Sequence, residues 1–86
     1  MKKIKIEIVK ILERGKCPLG LKVGDSWEIE DAFLPQGMCA WAFNSLFPFI
    51  VTLRFGGSLP WESEGEAFAC CPDPNNPVVF RLSVSK

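Results

Sequence analysis

The sequence predicts a single α+β domain, in which a small, mainly antiparallel sheet with paired N- and C-terminal strands packs on one main central helix. Three observations lead there. Ile4, Ile6 and Ile8 alternate with Lys3, Lys5 and Glu7 near the start of the chain. Val78, Phe80, Leu82 and Val84 alternate with Val79, Arg81 and Ser83 near its end. Between them, Gly37 to Gly57 holds the longest apolar segment. Period-two alternation marks a strand with one buried face. Two such strands pair most economically with each other, and their common apolar face is then covered by the helix.

The first strand spans Lys3 to Leu12, and its alternation slips at Ile8-Val9, which marks either a bulge or the point where the strand leaves the core. Glu13-Arg14-Gly15-Lys16 reads as a turn, and Pro18 and Gly20 then punctuate the backbone, which places Cys17 on a loop or at a strand end. Lys22 to Asp25 forms a second turn. It leads into a strand from Ser26 to Glu30, with Trp27 and Ile29 on one side. Asp31 to Gly37 is a connector, kept irregular by Pro35 and Gly37 just before Cys39.

The central helix carries its polar residues Asn44, Ser45, Pro48 and Thr52 at spacings of three and four, in one narrow stripe. The rest of its circumference is apolar. Such a helix needs burial on more than one side, and a chain of 86 residues supplies one small sheet, so a homo-oligomer assembled through the helix is expected. Pro48 either starts a new helix after a turn ending near Phe47 or kinks a single helix. Arg54 falls in the last turn, where a cation suits the carbonyl end, and Gly56-Gly57 supplies the stop.

Ser58 to Glu66 reads as a solvated loop whose acids Glu62, Glu64 and Glu66 stand in water rather than at a metal. Ala67 to Cys71 forms a short strand, ended by three prolines between Pro72 and Pro77. Val78 to Ser85 is the closing strand.

Bulk properties narrow the function. The length fits one domain, 1–86, and seven Phe and three Trp give it enough apolar area to fold. Net charge is zero, with seven Lys or Arg against two Glu in residues 1–22 and four acids between Asp25 and Asp31. Without a basic excess, nucleic-acid binding is not expected. Lys5, Glu7 and Lys10 interrupt any signal-peptide core, and no apolar run reaches membrane-spanning length. The reading is a soluble cytoplasmic protein without a membrane partner, in which thiols stay reduced.

Several segments together resemble a small prokaryotic family of single-domain proteins about this long, which has no assigned function. They are Gly24-Asp25-x-Trp27, Gly37-x-Cys39-x-Trp41-Ala42-Phe43, Phe55-Gly56-Gly57 with Pro60-Trp61, and Cys70-Cys71-x-Asp73-x-x-x-Pro77-Val78-Val79-Phe80. The resemblance covers nearly the whole chain. This sequence departs from it between Cys71 and Pro77, where Pro72, Pro74 and Asn76 replace a Thr or Ser, a Gly and an Arg. The resemblance implies the fold and the importance of the cysteines, and no reaction.

Cys17, Cys39, Cys70 and Cys71 are the soft ligands besides two methionines, and the chain has no histidine. Cys-His nucleophiles, His-ligated zinc and histidine bases are therefore excluded within one chain. Intervals of 21, 30 and zero residues between the cysteines include no Cys-x-x-Cys knuckle. Adjacent strand residues face opposite ways, so one of Cys70 and Cys71 can join Cys17 and Cys39. Asp73, a water or a neighbouring subunit's cysteine would complete a tetrahedral site for Zn, or the three cysteines would hold an iron-sulfur cluster with an open position. The competing reading packs the cysteines as small apolar groups in a structural or ligand-binding oligomer. A thiol enzyme would need a cysteine activated by a cation such as Lys16 or Arg54, and no catalytic constellation is identifiable. Trp27, Trp41 and Trp61, with Phe43, Phe47 and Phe49, would serve either as core and interface or as a pocket for a planar small molecule held by Arg54 or Asp25.

Overall fold

The computed structural model describes residues 2–31 and 33–85. Its elements run β1 (Ile4–Ile11), β2 (Ser26–Ile29), α1 (Ala40–Arg54), β3 (Glu66–Cys70) and β4 (Val78–Val84). The strands form one antiparallel sheet in the order β2-β1-β4-β3, and α1 covers one of its faces. The terminal strands are thus the central pair, with Ile4 opposite Val84, Ile6 opposite Leu82 and Ile8 opposite Phe80.

The bulge falls where the alternation slips. Ile8 pairs with Phe80, but Lys10 pairs with Val79 and Ile11 with Val78, leaving Val9 as the extra residue. Without it, strict alternation would carry Lys10 to the core side and Ile11 to the solvent side. With it, Lys10 is exposed and Ile11 packs on the core.

The core lies between sheet and helix. Ile4, Ile6, Ile8, Phe80 and Leu82 from the sheet meet Leu46, Ile50 and Leu53 from α1, all essentially inaccessible to solvent. On the open face, Arg81 bonds Glu66 through Nε and Nη2 (3.0 and 2.5 Å) and Glu7 through Nη1 (3.1 Å). Its hydrogen bonds to Glu66 and then to Glu7 hold the Arg81 pKa above its ordinary value. Glu66 therefore opens β3 in an ion pair, and Glu62 accepts the Phe68 N–H at 2.7 Å. Neither is the freely solvated loop acid that composition suggests.

α1 continues through Pro48 as one helix of 15 residues. Pro48 and Asn44 are both exposed. The Asn44 carbonyl, which would have taken a bond from residue 48, is thus on a face where water replaces the missing donor. The helix ends with Gly56 at φ +82° and with Gly57 N–H donating to Thr52 O at 2.8 Å. A side chain at Gly57 would put its Cβ 2.9 Å from the Thr52 carbonyl oxygen, so the stop requires glycine there.

Candidate functional site

The topology brings three cysteine-bearing segments to one end of the sheet. Cys17 follows β1, Cys71 follows β3, and Cys39 is the N-cap of α1. The opposite end of α1 is fixed beside the start of β1, where Lys2 N–H donates to Arg54 O at 3.2 Å. Cys17 is buried in the core, and Cys39 and Cys71 are half-buried against it. Cys70 is exposed. The adjacent pair thus divides as strand geometry requires, and Cys71 is the member that turns to the core.

Cys71 and Asp73 already serve the loop between β3 and β4. Cys71 Sγ accepts the Val78 N–H at 3.3 Å and donates to Asn76 O at 3.7 Å. Asp73 Oδ1 accepts the N–H groups of Asn75 and Asn76 at 2.9 and 3.3 Å, closing an Asx turn. Buried Asn76 in turn accepts the Lys16 N–H through Oδ1 at 3.2 Å, which ties the loop after β1 to the loop before β4. Cys39 makes no side-chain capping bond. Cys17 borders a depression of about 290 Å³ with Ile11, Leu21, Lys16 and Lys22. Among the described residues, no three cysteine, aspartate or glutamate side chains gather where one metal ion would reach them all.

The aromatic residues with Arg54 are spread over the molecule. Trp27 packs its ring 6.4 Å from that of Phe80, and its Nε1 donates to Gln36 O at 3.1 Å. Trp41 stands in the first turn of α1 and Arg54 in its last, about 20 Å apart along the axis. Trp61 is exposed in the segment between α1 and β3. The surface depressions described, of about 250 to 360 Å³, are lined by no tryptophan and not by Arg54, and Phe43 and Phe47 border one of them. Asp25 accepts the Lys22 N–H and serves its own turn.

Two features were not read from the sequence. Arg54 is buried, 3% exposed, although its spacing from Phe43, Phe47 and Ile50 on one helical stripe was visible. Asn76 links two loops, a role to which no local pattern points. Comparison of the chain with family models, with curated proteins and with solved structures found no match. Among the described residues, no helix is long and apolar enough to cross a membrane.

Proposed function

We propose that the protein is a non-catalytic cytoplasmic domain that works as a homo-oligomer, assembled through the outward face of α1, with its cysteines as packing groups. The supporting observation is the chemistry of that face. From Ala40 to Leu53 the helix has no Asp, Glu, Lys or Arg. Trp41, Ser45, Pro48, Thr52 and Phe55 follow one stripe turned from the sheet, with Trp41 58% and Phe55 70% exposed. Exposed Leu34 and half-buried Phe47 border a shallow apolar depression at the margin of this face. Solvated helix faces normally carry charge, whereas interface centres lose charge and gain aromatic residues. A second copy suits this face: two uncharged surfaces meet across a two-fold axis without like-charge repulsion.

Light scattering and sedimentation on the whole protein test the reading. The expected result is a dimer or higher oligomer for wild type and a folded monomer for Trp41→Glu. A wild-type monomer up to about 100 μM, well above the dissociation constants of stable dimers, would refute it.

A second reading is favoured by the shared location of Cys17, Cys39 and Cys71: a soft metal ion, zinc or iron-sulfur, held after the three loops close on it. Metal and sulfide analysis of protein purified without oxygen decides it. Stoichiometric metal lost in Cys39→Ser supports this reading, and metal-free folded protein disposes of it. The likeness to the small prokaryotic family adds no reaction to either.

A further inference from the structure

Arg54 is the one charged residue among the buried residues described, and both Nε and Nη2 are sealed from solvent with no hydrogen-bond partner. The ion pairs described are Lys3–Glu30, Arg81–Glu7 and Arg81–Glu66, and Arg54 belongs to none of them. A guanidinium stays charged at every physiological pH, so this group cannot escape its burial by losing a proton. An unpaired charge in an apolar interior is among the most costly arrangements a fold can hold.

The identity of the two orphan atoms narrows what would satisfy them. Nε–H and the neighbouring Nη2–H lie parallel on one edge of the guanidinium plane, the edge that receives an oxyanion side-on. Arg81 uses the same two atoms to grip Glu66. In Arg54 the same fork is formed and vacant of protein acceptors. It sits on the stripe of α1 that carries Phe43 and Ile50 toward the sheet. At the same helix end a depression of about 250 Å³ is bordered by Leu53, Gly56 and Gly57, with Lys2 and Glu64 as its charged groups, and Arg54 does not line it.

We infer that the Arg54 fork is the receptor of a small free oxyanion, of the carboxylate, phosphate or sulfate class, enclosed beneath the last turn of α1. This site is independent of the assembly face, because Arg54 is buried and the Trp41–Phe55 stripe points away from it.

The test is thermal unfolding of the whole protein in sodium phosphate, sulfate or acetate, each against chloride at equal ionic strength. Wild type is expected to gain stability saturably with at least one oxyanion, with a midpoint rise of about 10 to 20 °C at a hundred times Kd. Arg54→Met keeps the apolar stem without the charge and should lose the response entirely. Arg54→Lys keeps the charge without the fork and should weaken binding at least tenfold. If Arg54→Met is as stable as wild type or more so in every buffer, or responds to the anions equally, the inference fails. Should the variants not fold, the Nε–Hε resonance of Arg54 in wild type reads the site directly. A saturable shift with phosphate, sulfate or acetate supports the site, and an unmoved resonance with all three overturns it.

Discussion

Cys71 Sγ accepts the backbone N–H of Val78 at 3.3 Å, across the mouth of the loop that joins β3 to β4. The two residues also share the bond from Cys71 N–H to Val78 O at 3.0 Å, and the thiol donates onward to Asn76 O. Cys71→Ala leaves the Val78 N–H without its acceptor and is expected to cost about 1–2 kcal/mol. With a thiol reagent, exposed Cys70 should react first, half-buried Cys39 and Cys71 more slowly, and buried Cys17 only as the protein unfolds. Mass mapping over the time course checks the order. Fast labelling of Cys71 would show that the loop bond does not hold in solution.

The Val9 bulge makes a prediction about length rather than chemistry. Deleting Val9 leaves Ile4, Ile6, Ile8 and Ile11 on one face and Lys5, Glu7 and Lys10 on the other by plain alternation. The variant should fold with a loss of no more than about 2 kcal/mol. Deleting Lys5 instead sets Ile4 out of phase with Ile6 and Ile8 and should unfold the domain. Circular dichroism with urea melts separates the two cases, and equal damage from both deletions would contradict the register described.

Glu62 guards an edge. β3 ends the sheet, and the Glu62 carboxylate occupies the Phe68 N–H that points away from it. Removing that acceptor in Glu62→Ala should cost about 1.5–3 kcal/mol and leave a backbone donor free to pair with another chain. Concentration-dependent light scattering of Glu62→Ala should exceed that of wild type, and the excess should persist in Glu62→Ala/Trp41→Glu. If the double variant stays monodisperse, the edge is protected by something else.

Lys3 gives a pH dependence of definite sign. Its bond to Glu30 at 2.9 Å and the charges of Glu30 and Glu28 raise its pKa above the ordinary 10.5. The linked stability is fully present below that ordinary value and is lost as pH climbs through the raised one. Wild type and Lys3→Ala should therefore differ by a constant, small amount from pH 7 to 9 and converge at strongly alkaline pH. The pair is solvent-exposed, so salt should shrink the difference. A difference that grows with alkalinity would contradict the pairing.

The fold was legible because its signals are periodic. Period-two runs in β1 and β4 name both the strands and their inward faces, and the slip at Val9 locates the bulge. The Pro48 alternatives were not separable by pattern, because the outcome depends on whether the carbonyl of Asn44 meets water or core. The cysteine site was legible only to the level of topology. Strand parity sends one of Cys70 and Cys71 inward, but the distance from Cys71 to Cys17 or Cys39 depends on loop paths that hydrogen bonds such as Lys16 N–H to Asn76 determine. Arg54 stands in the last turn of α1 as its position implied, but composition shows its charge and hides its burial.

The strands that lie side by side in the middle of the sheet, β1 and β4, are the pair furthest apart along the chain. Until β4 has been made, β1 has a partner on one side only, and Ile4, Ile6 and Ile8 have no Val84, Leu82 or Phe80 beside them. The β1–β4 ladder spans nearly every residue described, and contacts of such long range close slowly. During synthesis, the emerging chain therefore carries β1, β2 and α1 with an open sheet edge and an uncovered apolar face, the form most prone to associate with the wrong neighbour.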